Sequence, residues 1–247
     1  MIGPCLLLFQ LTAPPTQTPA AMPPPNVTAS LSVEDRPAPL PTPTPIQDVS
    51  RFVSDHAVTL LVQTGEGRLI RKGQAMLSTS EGYVMTSLDL VAGGSSFVVS
   101  GGVVGESRPA KALAVSRRGK IAILQLDMKS GEHLGDAAPR TDVPPGAGDK
   151  LFALGETGRV VEGKVASISE DPDTTRLLHL NLALAAGAPL FNFRGQFVGV
   201  VRTPVRKAPG SLAVFVPAKV PGDWVDYFPS SVRDPIHKKV IEAPPSN

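Results

Sequence analysis

The sequence predicts an all-β protein: two small barrels in one unit, with a single short helix near the C-terminus. Two observations predict this. Short apolar and β-branched runs recur at regular spacing between Gly, Asp and Pro turns. They also fall into two series, separated by a Gly-, Pro- and Asp-rich connector over about 130–148. The chain has 247 residues and 42% hydrophobic content, which leaves room for one domain of about 150–200 residues plus extensions.

The first series comprises runs at 57–63, 74–80, 83–87, 96–100, 111–116 and 121–126. Its clearest hairpin has Glu81-Gly82 at the turn, between two runs of suitable length. The second series comprises 150–155, 160–169, 176–182, 189–193, 197–202 and 212–216. Asp171-Pro172-Asp173 reads as a hairpin tip, and Arg194-Gly195 as the turn between the runs at 189–193 and 197–202. Many short strands of this kind imply sandwiches or barrels, and the connector divides them into two barrels, at about 56–130 and 148–217. The one helix expected lies at 221–228, where Pro221 suits a first turn and Trp224 and Phe228 are four apart on one face.

The ends differ in composition. Residues 12–49 are rich in Pro, Thr and Ala. Each proline removes an amide donor and fixes φ, so this arm should be extended and polyproline-like, as a passive tether or a partner-binding strap. Before it, Cys5–Leu11 is a short apolar run, far below the ~20 residues of a membrane span. It resembles the apolar part of an export signal but lacks a preceding Lys or Arg, so an exported or membrane-associated location and a cytoplasmic one both stay open. Any membrane association would run through this N-terminus. The body is expected over 50–228 and a loose polar tail over 229–247.

Charge and special residues exclude several functions. The formal net charge is +2, which does not call for nucleic acid. Basic residues cluster at Arg68, Arg71 and Lys72, at Arg108, Lys111, Arg117, Arg118 and Lys120, and at Arg202, Arg206 and Lys207. Aromatic residues make up only 5% of the chain, so base stacking has little to work with. A solvated face is the default reading, then an acidic protein partner. The single Cys5 excludes an internal disulfide framework and a cysteine-based zinc site. His56, His133, His179 and His237 show no metal-ligand spacing. Gly158 to Lys164 has the spacing of a phosphate loop, but Val165 follows and the run alternates like a strand. No cofactor or metal is expected.

The stretch from Asn181 to Val200 carries the chemistry. It resembles the nucleophile segment of trypsin-like serine proteases, especially the bacterial HtrA branch. Gly187, Pro189, Leu190, Asn192, Gly195, Val198 and Gly199 fit the family's pattern. Gly73–Thr86 resembles the family's first hairpin, Arg118–Leu126 its aspartate strand, and Ala147-Gly148-Asp149 the opening of its second barrel. Val214-Phe215-Val216-Pro217 resembles the run before its terminal helix. The resemblance covers about 56–225 and implies a trypsin-like double β-barrel.

The resemblance also locates three triad positions, and all three depart from the family. The histidine falls on Asp89, the aspartate on Lys120 and the serine on Ala186. A carboxylate, whose ordinary pKa is near ~3.9, cannot serve as the imidazole base near neutrality. An ammonium cannot orient an imidazolium, and a methyl group cannot form an acyl intermediate. Leu184 and Ala188 replace glycines that shape the oxyanion loop. Asp89 and Lys120 are expected to pair across the old site. No serine, Ser167 and Ser169 included, is expected to sit beside a histidine. These readings lead to a chain that is not an enzyme but a binding, scaffold or assembly subunit for protein partners. The alternatives are a regulator that binds an active protease or its substrates and, least favoured, an active serine protease that uses displaced residues.

Overall fold

The computed structural model describes residues 46–170, 176–202 and 210–219. By its contacts the chain divides into residues 1–41 and 42–247, and the described residues belong to the second unit. The Pro-rich arm before residue 46, the hairpin tip Asp171-Pro172-Asp173, Arg206 and Lys207, and the expected helix at 221–228 with its tail lie outside the described residues.

Twelve described strands form two closed six-stranded barrels. The first holds β1 (Ala57–Gln63), β2 (Leu69–Leu77), β3 (Tyr83–Ser87), β4 (Ser96–Gly101), β5 (Gly105–Ser116) and β6 (Ile121–Leu126). The second holds β7 (Lys150–Leu154), β8 (Val160–Glu170), β9 (Arg176–Leu180), β10 (Pro189–Phe191), β11 (Phe197–Val201) and β12 (Ser211–Phe215). Every strand pairing among the described residues is antiparallel apart from an isolated Arg140–Phe197 bridge. The two-barrel, all-β reading of the sequence is therefore what the fold shows.

Alternation builds each barrel's interior. In β1, Val58, Leu60 and Val62 point inward and meet Leu77, Val84, Phe97, Val99 and Leu124. In the second barrel Leu151, Val165, Leu178, Leu190, Val198 and Ala213 do the same. A third apolar cluster joins the two barrels: Met76, Met85 and Ile121 from the first pack with Phe152, Phe191, Phe197, Val200 and Val214 from the second. At about 25 cal/mol per Å² of buried apolar surface, such a cluster fixes one barrel against the other.

Two α-helices lie among the described residues, both ahead of the segment for which the sequence predicts one. Helix α1 (Ile46–His56) begins inside the stretch whose composition predicts an extended arm. Its residues 49, 52, 53 and 56 are buried or half-buried, at the spacing of a helical face, but the polar residues between them and the preceding prolines obscure that signal. Val49 and Val53 enter the cluster between the barrels. The Phe52 ring stacks on His56 at 3.9 Å and meets Phe191 edge-on at 5.7 Å. Helix α2 is a single turn, Leu88–Val91, capped by the Ser87 hydroxyl, which accepts from Leu90 N at 3.3 Å. Neither helix is long and apolar enough to cross a membrane.

The connector at 130–148 is pinned at several points. Leu134 N donates to Ser80 O, and Phe197 N to Pro139 O. The Arg108 guanidinium meets Glu132 at 2.6 Å. Arg140 lies over the Phe197 ring, 5.7 Å from its centroid. Burial pushes the Arg140 guanidinium below its ordinary pKa, and the nearby Asp142 charge partly opposes that shift.

Candidate functional site at the seam between the barrels

The one-turn helix α2 sets the site. Leu88, Leu90 and Val91 are buried, which leaves Asp89 as its outward residue. Asp89 Oδ2 accepts from Arg202 Nε at 3.2 Å, and the two side chains are only 18% and 23% exposed. Arg202 directly follows β11. Gly187 N donates to Val201 O at 2.8 Å and Val201 N to Ala188 O at 2.9 Å, so the loop at 186–188 and the root of Arg202 are tied together.

Backbone hydrogen bonds fix the surroundings of each of the three positions singled out in the sequence. Leu88 N donates to the carbonyl of Lys120 at 2.9 Å, beside Asp89. Lys120 closes the turn before β6 with φ of 50°, an uncommon conformation for a residue with a side chain. Gln74 N donates to the carbonyl of Ala186 at 2.8 Å. A side chain on Gly73 would lie 2.5 Å from Ala186 O and 2.6 Å from a Leu90 methyl, so the Ala186 loop and α2 crowd one glycine. The Ala186 side chain packs, partly buried, against the core of the first barrel. The partner of Asp89 corrects one expectation: the cation on its carboxylate is Arg202, brought from the second barrel, where the sequence points to Lys120. Lys120 contributes its backbone carbonyl to α2.

The rest of the loop is equally committed. Gly187 has φ of 78° and lies against Gln74 O and Thr86 Oγ1 so closely that a Cβ has no room. Thr86 Oγ1 donates to Gln74 O at 2.8 Å, and Gln74 Nε2 reaches across the seam to Leu154 O at 3.1 Å. Leu184 N–H donates to Ser211 Oγ at 2.8 Å in a buried setting. That amide lies two residues before Ala186, the position where the resemblance places an oxyanion-hole glycine. Neither Arg202 nor Ser211 stands out in the sequence as a site residue. Arg202 belongs there only to a basic cluster, and only the fold reveals what either one touches.

A second correction concerns serine and histidine. Ser169 Oγ lies 2.9 Å from His179 Nε2 on the exposed β8–β9 hairpin. The two are ten residues apart, and the antiparallel register brings them together. Among the described residues, no three His, Cys, Asp or Glu side chains gather as a metal site.

Two barrels with a polar seam between them define the trypsin-like fold class. The family described as "Trypsin-like peptidase domain" matches residues 73–200, more than half of the chain. The chain belongs to the trypsin-like peptidase domain family. No curated protein sequence matches it significantly.

Among solved structures, an active-form protease from M. tuberculosis aligns with a TM-score of 0.54 and 17% identity, over 70% of this chain and 82% of that one. The serine endoprotease from Yersinia pestis aligns at 0.56 and 15%, over 70% and 63%. The HtrA-type protease AlgW with tripeptide aligns at 0.58 and 16%, over 70% and 60%. The chain thus spans less than two thirds of the last two. At these identities the likeness establishes the fold. The family match points to a peptidase. It corrects the expectation that the chain is not an enzyme.

Proposed function

We propose that this HtrA-like, trypsin-fold chain works by holding a protein partner, as a binding, scaffold or assembly subunit, at the seam and along the neighbouring edge of β2. The observation that carries this reading is how the seam's polar groups are engaged. Asp89 is tied to Arg202, and Leu184 N–H to Ser211. Preorganised groups present a fixed surface, which favours recognition because little ordering remains to be done on binding.

The β2 edge supplies a docking strip. Leu69, Arg71, Lys72 and Gly73 are laddered to β1, while the pairing of β2 with β3 begins only at Met76. Leu69 and Ile70 are exposed. An extended peptide can add to such an edge through its main chain. Arg68 and Lys72 beside it favour an acidic partner, while Arg71 is turned onto the carbonyls of Leu90 and Ala92 at the end of α2. The test is pull-down from the native source with the wild type and with Ile70→Pro, at the bulged residue that the β1 register skips on this edge. A stoichiometric partner lost in the variant supports the reading, and a partner retained in full overturns it.

A second reading is peptide hydrolysis, favoured by the family match and by the Ser169–His179 contact. A fluorophosphonate probe tests it. Labelling at Ser169 that Ser169→Ala abolishes would establish that reading, and absence of labelling on any serine would sink it.

A further inference from the structure

We propose that the chain's own segment 221–228 docks in a groove on the outer face of the second barrel, with Trp224 and Phe228 against its apolar wall. The groove has a volume of about 370 Å³ and is walled by Thr141, Val143, Pro144, Phe193, Arg194 and Gln196. Two of its apolar residues are unusually open for their size: Val143 is 74% exposed and Phe193 46%. Exposed apolar surface of this kind marks a contact site.

The groove is preformed. Asn192 Oδ1 accepts from Arg194 N at 2.9 Å and from Gln196 N at 3.0 Å, and Asn192 Nδ2 donates to Gln196 Oε1 at 2.9 Å. This cage fixes the turn that carries Phe193 and Arg194. The opposite rim is fixed by Thr141, whose hydroxyl accepts from Val143 N at 3.0 Å.

The path of the chain selects the occupant. After β12, Val216 N donates to Val198 O, and Ala218 N donates to Thr141 O at 3.1 Å. Lys219 N then donates to Asp142 Oδ1 at 3.1 Å. Val198 and Thr141 both line the groove, so the described chain ends on its rim. The next nine residues, Val220-Pro221-Gly222-Asp223-Trp224-Val225-Asp226-Tyr227-Phe228, include the only tryptophan and one of the two tyrosines. Nine residues span up to about 30 Å extended or about 13 Å as helix, enough to cross the groove in either form. A tethered segment this close acts at an effective concentration in the millimolar range.

Charge is complementary as well. Among the described residues, Arg194 Nε is buried without a hydrogen-bond partner, and Arg194 borders the groove. Orphaned guanidinium donors are costly, and the segment carries two carboxylates, Asp223 and Asp226, within the same short reach.

Trp224 is its own probe. In the full chain its emission should be blue-shifted, and its acrylamide quenching several-fold weaker than that of free tryptophanamide. Val143→Glu and Phe193→Ala, both at exposed positions, should raise the quenching toward the free value while the far-UV circular dichroism stays unchanged. Quenching equal to tryptophanamide in the wild type would overturn the proposal. So would protection that neither variant changes, since Trp224 would then be buried elsewhere. Protection that falls on dilution would also overturn it, because a second copy would be filling the groove.

Discussion

Asp89 and Arg202 lie 113 positions apart in sequence, yet their side chains meet at 3.2 Å across the seam between the two barrels. The pair is largely shielded from solvent, so losing one member strands the other. Arg202→Ala and Asp89→Ala should each destabilise the fold, and the double variant should cost less than their sum. The coupling expected by chemical denaturation is about 1–3 kcal/mol. Strictly additive losses would mean the two charges do not depend on each other.

Gly187 tests the close approach of the Ala186 loop to the first barrel. It combines φ of 78° with a backbone packed against Gln74 O and Thr86 Oγ1, whereas Gly93 has φ of 77° and open space around it. Gly93→Ala should cost only the conformational strain, about 1–2 kcal/mol. Gly187→Ala must also push two strands apart and should cost more than about 4 kcal/mol, or prevent folding. Equal costs at the two positions would deny the packing described.

Ser211 tests the fate of the Leu184 amide. In Ser211→Ala the buried N–H loses its acceptor, a loss of about 1–3 kcal/mol. Amide hydrogen exchange at Leu184 should accelerate in the variant. Unchanged exchange would place another acceptor there.

The Arg108–Glu132 contact predicts an acid-stability window. The Arg108 guanidinium, with help from the Lys129 N–H, pulls the Glu132 carboxyl down to about 2 from 4.5. A depressed folded-state value contributes stability above the unfolded value, and that stability fades as pH falls from about 4.5 through about 2. Glu132→Gln should remove the contribution at neutral pH and converge with the wild type near pH 2. Curves that stay parallel down to pH 2 would contradict this.

The strands are legible in the sequence because each barrel wall is a local pattern: apolar residues alternate in β1, and Glu81-Gly82 is a turn whatever lies around it. Short motifs single out Asp89, Lys120 and Ala186 in the sequence, through their resemblance to the family's pattern. What the sequence hides is non-local. Arg202 is one basic residue among many until β11 carries it to Asp89, and Ser211 looks like any strand serine until Leu184 turns back onto it. His179 and Ser169 are separated by a hairpin whose register decides whether they touch. Helix α1 is hidden differently: its stripe of Val49, Phe52, Val53 and His56 is short and adjoins a Pro-rich arm, so local composition argues against it.

The most direct test of the account is a photo-crosslinking residue placed at Leu69 in the full chain, activated in the native source, with the same residue at exposed Glu156 as control. The account predicts one dominant protein joined at position 69 and absent at position 156. Equal capture at both positions would contradict it.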